Sequence, residues 1–521
     1  MATVEEIMQR PFGTLPELIA AHAVERGDRL ALAMEDETVT YAELDRAMDR
    51  IAAALQRDGA KPHQAISIIS GTNIPYAELF VGAVRSANVP APIAPSSTAE
   101  QMEAMVKDSG AIHLFLDADC ARTLGNRIPA GMKVIALNGS DVGQPFEEWL
   151  APEGTKPALV EMGPEDPFNI IYSSGTTGVP KGIVQPAKMR WQHVGRITHG
   201  DIGTTVVLTS TPLYSNTTLV SFLPGLARGG TIVLMKKFDA RKFLELSEKY
   251  KATNAMLVPV QYNRIMALPD FDNFDLSSYK MKTCTSAPFS AKLKADVVNR
   301  WPGQLVEFYG MTEGGGGTML DCTAFPDKLH TVGKPNPLVD LRLIDDDGNE
   351  VGPGEVGEVV GRSAGMMSGY HNRKEATEAA YWYDKEGNRF IRHGDVGRFD
   401  EDGFLILMDR KKDMIISGGF NIYPSDLEAV LVKHPAIADC AVIGVPSEAW
   451  GETPVGVYVA RPDAVADEQE ILDWFNAQVG KTQRLSALER MTELPRSAIG
   501  KVLKRELRDQ YVASGKAKEA A

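Results

Sequence analysis

Along the chain, the spacing of apolar positions switches repeatedly between two periods. Residues 41–59 (YAELDRAMDRIAAALQRDG) carry apolar side chains at helical spacing and predict an amphipathic helix. The runs at 63–69 (HQAISII) and 111–117 (AIHLFLD) are short and continuous, and they predict buried strands with helices between them. The rhythm returns at 204–210 (TTVVLTS), 230–238 (GTIVLMKKF) and 254–260 (NAMLVPV). Strands alternating with helices predict an α/β fold, and so many strands exceed one comfortable sheet, so stacked α/β sheets are expected. At 354–362 (GEVGEVVGR) small and apolar residues alternate, which predicts a small antiparallel sheet or barrel-like subdomain. Residues 394–413 predict a hairpin turning at Asp402-Gly403 and running into a charged strip. The major boundary is placed there, giving a large N-terminal domain over 1–411 and a smaller α+β domain over 412–521. In the latter, Pro424 and a Ser425-Asp426-Leu427-Glu428 capping box predict a helix start. Strands are expected at 438–445 and 453–460, and helices at 468–480 and 502–511.

Composition narrows the classes. The 521 residues suffice for at least two domains with sizeable cores. A net charge of −14 argues against a broad basic face for nucleic acid. No apolar run reaches the length of a membrane span, and the acidic start MATVEEIMQR does not read as a secretory signal. The four cysteines are scattered without a CxxC pair, which disfavours a disulfide framework or zinc cluster and suggests the reducing cytoplasm.

Five segments carry chemistry. In 170–182 (IIYSSGTTGVPKG) an apolar strand enters a loop of serines, threonines and glycines that ends in Lys181-Gly182. Glycines admit an anion close to the backbone, N–H groups and hydroxyls donate to phosphate oxygens, and Lys181 adds charge. The order differs from GxxxxGK[ST], and a flexible surface turn is the competing reading. In 306–317 (VEFYGMTEGGGG), Tyr309 could stack on a base, Thr312 bond a phosphate and Glu313 hold Mg²⁺; core packing and a solvated acid are the plain alternatives. Asp395 in 393–399 (HGDVGRF) is a candidate acceptor for ribose hydroxyls. The segments 408–428 (MDRKKDMIISGGFNIYPSDLE) and 494–507 (LPRSAIGKVLKREL) complete the set.

In this order, the five segments resemble the ANL superfamily of adenylate-forming enzymes: acyl- and aryl-CoA synthetases, peptide-synthetase adenylation domains and firefly luciferases. The resemblance covers essentially the whole chain and implies ATP, Mg²⁺ and CoA as reactants and cofactor. It implies that Ser173, Ser174, Gly175, Thr176, Thr177, Gly178 and Lys181 form the loop holding the β- and γ-phosphates. Ser286, Ala287 and Pro288 sit where the family lines the adenine pocket, and Tyr309 where a ring stacks on the base, within the strand end Phe308, Tyr309, Gly310 and Met311. Thr312 matches the residue at the α-phosphate, Glu313 the Mg²⁺ ligand, and Asp395 with Arg410 the ribose pair. Lys501 matches the catalytic lysine of a mobile C-terminal domain, Lys412 its hinge, and Gly418-Gly419 the pair beside the pantetheine tunnel.

The expected activity is that of an AMP-forming carboxylic acid–CoA ligase. A peptide-synthetase module is disfavoured, because only 20 residues follow Lys501 and no pocket aspartate is evident. A luciferase, a non-enzymatic ATP sensor and a stand-alone acyl-adenylating enzyme are the other classes weighed. The acid pocket is placed at 212–218 (PLYSNTT), with Tyr214, Ser215 and Asn216. Ser215 stands where many relatives carry histidine, and Gly314 to Gly317 remove side-chain volume, which together suggest a bulky acid. The wording of the 172–185 loop is similar to hydroxycinnamate (4-coumarate-type) ligases, so a phenylpropanoid acid is expected, with fatty or steroid side-chain acids next. From Lys481 onward ten Lys/Arg face five Asp/Glu, a local positive excess able to steer an anionic thiol. Expected partners are small molecules, with no nucleic acid and no membrane span, and a homodimer is the assembly considered.

Overall fold

The computed structural model describes residues 2–173, 180–196, 202–417, 420–447, 450–462, 464, 467–497 and 500–516. Helix Tyr41–Arg57 shows how local rules build the elements. Thr40 accepts from the Glu43 N–H, and Glu43 accepts from the Thr40 N–H at 2.8 Å, a reciprocal cap that starts the helix. Tyr41, Leu44, Met48, Ile51 and Leu55 then recur on one face and are wholly buried. Each such aliphatic side chain contributes about 1.5–3 kcal/mol of burial.

Contacts divide the chain into two compact units, 1–341 with 361–391, and 342–360 with 392–521. The strands Asp340–Ile344, Gly357–Arg362 and Arg389–Phe399 carry the chain across that division, and Lys412 lies inside the second unit.

The first unit holds two sheets with parallel cores and one antiparallel sheet. In the nine-stranded sheet, Gln304–Gly310, Met281–Cys284, Asn254–Leu257, Val206–Thr209, Thr231–Leu234 and Leu30–Met34 run parallel side by side. Antiparallel strands close both edges. A five-stranded parallel sheet is centred on His113–Leu116, whose residues are all buried, as expected of a strand covered on both faces. The third sheet pairs Pro167–Ser173, Lys181–Pro186 and Gly369–Tyr370 antiparallel.

Two expectations are corrected. The run 254–260 is not one strand: it ends at Leu257, and Pro259 opens helix Pro259–Met266, because proline suits the first helical turn, where no N–H is needed. Helix Pro424–Leu431 does begin where expected, but without the capping box. Its N-cap is Tyr423, Ser425 Oγ donates to Met408 O, and Glu428 accepts from the Val442 N–H and pairs with Lys504.

In the second unit the long hairpin Ile437–Ser447 and Gly451–Ala460 separates two apolar clusters. Ala441, Ile443 and Val445 face Leu507 and Tyr511, while Val442 faces Leu427, Leu431 and Phe475, the period-two alternation of a sheet covered by helices on both sides. All four cysteines are free thiols; Cys120, Cys284 and Cys322 are buried and Cys440 half-buried. Among the described residues no helix is long and apolar enough to cross a membrane.

Candidate functional site

Ligands of α/β sheets collect at the carboxyl ends of parallel strands, and the nine-stranded sheet gathers its candidate residues there. Cys284 pairs with Glu307, so Ser286 and Tyr309, each two residues further on, leave adjacent strand ends. Ser286 holds a left-handed backbone at φ 81°, which costs a residue with a Cβ about 1–3 kcal/mol and persists only where neighbours enforce it. Its Oγ lies 2.7 Å from Thr217 Oγ1, a tie to the helix Asn216–Ala227. Phe308 and Tyr309 are successive strand residues and project to opposite sides of the sheet, so their two rings cannot share one face of a ligand. Gly310 is exposed, Ala287, Met311, Thr312 and Glu313 are half-buried, and Pro288 is exposed.

The loop expected to bind phosphate leaves Pro167–Ser173 and returns as Lys181–Pro186; Ser174 to Gly178 lie outside the described residues, and Ser173 pairs through its backbone with Lys181. Gly182 is required by close packing: a Cβ there would come within 2.9 Å of Ile170 and 3.3 Å of His371. That space admits the short strand Gly369–Tyr370, in which Tyr370 pairs with Ile183. Lys181 Nζ consequently stands 5.1 Å from the centre of the Tyr370 ring, a cation–π contact. The Tyr370 hydroxyl donates to Glu313 Oε1 at 2.9 Å, and the Met367 N–H donates to Glu313 O at 2.8 Å. Burial, and after it the Glu313 charge, push the Tyr370 phenol well above its usual range, so it remains a donor at neutral pH. Tyr370 thus joins the candidate phosphate lysine to the candidate metal carboxylate. Sequence reasoning missed it because its partners lie far away in the chain.

A buried polar network supports the 212–218 loop, the candidate acid pocket. Arg190 is 3% exposed, and among the described residues it has no carboxylate partner. Its Nε donates to Asn169 Oδ1 at 3.0 Å, and its Nη2 donates to Asn216 Oδ1 at 2.9 Å and to Gln185 Oε1. Asn169 Nδ2 donates to Gln185 Oε1 at 2.9 Å, and Gln185 Nε2 donates to Thr312 O at 2.8 Å and to Asn216 Oδ1 at 3.2 Å. Burial lowers the Arg190 guanidinium to about 9, still cationic at neutral pH. Three amides and one guanidinium therefore fix the carbonyl after which Glu313 follows. Ser215, expected to offer a pocket hydroxyl, is buried as the cap of the Asn216–Ala227 helix, its Oγ accepting from the Thr217 N–H. Tyr214 is half-buried, and burial keeps its phenol neutral.

The glycines after Glu313 require a different account from pocket volume. Gly314 and Gly315 adopt φ 85° and 82°. A Cβ on Gly314 would stand 2.1 Å from Gly365 O, one on Gly315 2.9 Å from Gly361 O, and one on Gly317 1.8 Å from Tyr309 O. The side chains are absent because the loop is pressed against protein backbone, so the size argument built on Gly314 and Gly315 fails.

The second unit carries the remaining candidates. Asp395 pairs in register with Arg410 across the Arg389–Phe399 and Leu405–Arg410 hairpin. Lys412 is exposed in the turn that follows, whereas its neighbour Lys411 is anchored to Asp346 at 2.8 Å and Glu358 at 3.2 Å. Gly418-Gly419 lie outside the described residues. Lys501 follows a turn in which Gly500 takes φ 78° and the Lys501 N–H donates to Ser497 Oγ at 3.2 Å. Arg496 braces that turn, donating to Gly500 O at 2.6 Å and pairing with Asp439 at 2.5 Å.

Two family models match the chain: "AMP-binding enzyme" over residues 19–371 and "AMP-binding enzyme C-terminal domain" over 426–501. A feruloyl-CoA synthase from Amycolatopsis sp is 32% identical over 484 residues, spanning 91% of this chain and 94% of the relative. A long-chain-fatty-acid–CoA ligase of Mycobacterium tuberculosis is 30% identical over 491 residues, spanning 92% and 94%. The ATP-bound crystal structure of MatB from Rhodopseudomonas palustris superposes with a TM-score of 0.84 at 26% identity, over 96% of this chain and 99% of that one.

Proposed function

The chain belongs to the AMP-binding enzymes, of the AMP-forming acyl-CoA synthetase kind, and from that premise we propose that it joins a bulky, phenylpropanoid-type carboxylic acid to CoA through an acyl-adenylate. The observation that carries the reading is the Lys181–Tyr370–Glu313 arrangement, which joins a cation to a carboxylate just beyond the end of the Gln304–Gly310 strand. The feruloyl-CoA relative favours an aromatic acid, and the fatty-acid relative supports a second reading, a long-chain acid in the same pocket.

A carboxylic acid of pKa near 4 is already ionised at pH 7, so no base is needed to create the nucleophile. The obstacle is an anion approaching a polyanion, and catalysis reduces to positioning and charge neutralisation. Lys181 holds the outer phosphates and Thr312 the α-phosphate, while Ser286 and Tyr309 border the base. Asp395 and Arg410 hold the ribose, and Lys501 supplies a second cation from the C-terminal domain over 412–521. The acid's oxygen bonds to the α-phosphorus and pyrophosphate leaves. The CoA thiol, reaching in beside Gly418-Gly419, then attacks the acyl carbon and AMP leaves.

Glu313 suits Mg²⁺: it offers hard carboxylate oxygens, one of them oriented by the Tyr370 hydroxyl. Mg²⁺ characteristically takes one or two carboxylates and completes its shell with substrate phosphates, a demand that a single glutamate can serve. When bound, Mg²⁺ would spread the phosphate charge.

The test is acid-dependent AMP release, with and without CoA, across cinnamates, benzoates, fatty acids and bile acids. Turnover of cinnamates or other bulky acids is the expected result. A response confined to acetate would refute the bulky-acid assignment, and no ATP–pyrophosphate exchange with any acid would refute the ligase.

A further inference from the structure

We infer that Asn216 determines specificity by donating a hydrogen bond from Nδ2 to an oxygen on the body of the acid, so that the preferred substrates carry a hydroxyl, ether or carbonyl in addition to the reacting carboxylate. The inference rests on the ligase reading and refines its substrate.

The network around Arg190 leaves one orientation for the Asn216 amide. Gln185 Nε2 uses both hydrogens, on Thr312 O and Asn216 Oδ1, and Gln185 Oε1 accepts from Asn169 and Arg190. Two donors therefore meet at Asn216, and the atom receiving them must be its carbonyl oxygen. A flipped amide would set NH₂ against the Arg190 guanidinium and the Gln185 NH₂, so the arrangement assigns oxygen and nitrogen without ambiguity. The Asn216 Nδ2 is the end left over. Asn216 is half-buried, and among the described residues its Nδ2 has no hydrogen-bond partner.

The placement of that amide matches an acyl-binding role. Asn216 opens the helix that follows Thr209–Ser215 at the carboxyl edge of the parallel sheet, and the same glutamine that holds it also holds the Thr312 carbonyl, one residue before Glu313. The cost of the construction also needs a reason. A guanidinium taken out of water with only amide partners is expensive, and Arg190 Nη1 is buried with no hydrogen-bond partner among the described residues. Apolar side chains in these positions would hold the helices at lower cost. What the buried cation adds is polarisation: a positive charge on the carbonyl end of an amide strengthens the N–H donors at its other end. A hydrocarbon acid seated against the amide would leave those donors unpaired, whereas an oxygenated acid satisfies them.

The test compares acids differing by one oxygen that can only accept: cinnamate against its 2-, 3- and 4-methoxy derivatives, and dodecanoate against 12-methoxydodecanoate, read as kcat/KM for AMP release with CoA. For the wild type, at least one oxygenated acid is expected to exceed its parent by roughly tenfold to a hundredfold. Asn216→Leu should bring that ratio close to one. Asn216→Asp retains an oxygen for Arg190 and Gln185 but replaces the donor by an acceptor, so it should fold and still lose the preference. A wild-type ratio near one in every pair, or a preference that survives Asn216→Asp, would overturn the inference while leaving the ligase intact. Turnover of no acid at all would overturn both.

Discussion

At the scale of single residues, the chemistry reduces to which side chains meet and what each meeting does to charge. Tyr370 touches both Lys181 and Glu313. In the proposed reaction it would act through them, as a positioning residue. Tyr370→Phe keeps the ring beneath Lys181 and removes the hydroxyl from Glu313. Loss of one such bond to a charged partner costs about 1.5–3 kcal/mol, so ATP–pyrophosphate exchange should fall by roughly tenfold to a hundredfold; exchange at the wild-type rate would remove Tyr370 from the site. Lys181, Thr312 and Glu313 could be singled out as candidates because each sits in a short contiguous motif whose residue types suit a phosphate or a metal. Tyr370, Gln185 and Arg190 were not, since nothing local distinguishes them from ordinary packing residues. A buried histidine supplies a second prediction. Burial holds His22 at about 4, below the 6.5 of an exposed ring, while His22 Nε2 donates to Ala227 O at 2.9 Å. The unfolded chain then takes up the proton first, so stability is lost as pH falls from about 6.5 toward 4, by about 3 kcal/mol at the low end. His22→Gln should flatten that part of the melting-temperature profile; an unchanged slope would show that other groups control it.

At the scale of elements, tight backbone approaches decide more than side-chain chemistry. The strand end at Gly310 turns through Gly314 to Gly317, and the three left-handed glycines among them, Gly314, Gly315 and Gly316, let Glu313 face Tyr370 while the loop lies against residues 361–365. Gly314→Ala would place a Cβ 2.1 Å from a carbonyl oxygen at φ 85°. Strain of this kind costs about 1–3 kcal/mol for the backbone alone, so the variant should melt several degrees lower; a wild-type melting temperature would disprove the close approach. The sequence shows four consecutive glycines but not what presses on them, which is why they read as pocket volume. The end of the strand at Leu257 was similarly hidden: a continuous apolar run looks the same in a strand and in a buried helix, and only Pro259 marks the change. The periodic helices and the buried parallel strands, in contrast, were legible because their patterns are long and their caps local, as at Thr40 and Glu43.

At the scale of the whole molecule, the proposed reaction divides its cations between two bodies, Lys181 in the first unit and Lys501 in the second. If Lys501 serves only adenylation, Lys501→Ala should lose that step by a factor of hundreds or more, in line with the ~3–4 kcal/mol of an oxyanion contact. Thioester formation from pre-made acyl-AMP should be largely retained; equal loss in both assays would refute the division. Following such a division in time calls for a reporter, and the cysteine content makes one practical. Burial raises all four thiols above their usual range, and it is the thiolate that reacts. At neutral pH the native chain therefore presents a nearly silent background to maleimide dyes. A pair of engineered surface cysteines, one of them at the exposed Lys433 position, would take up fluorophores selectively, so that single molecules of an otherwise unaltered enzyme can be watched through a catalytic cycle.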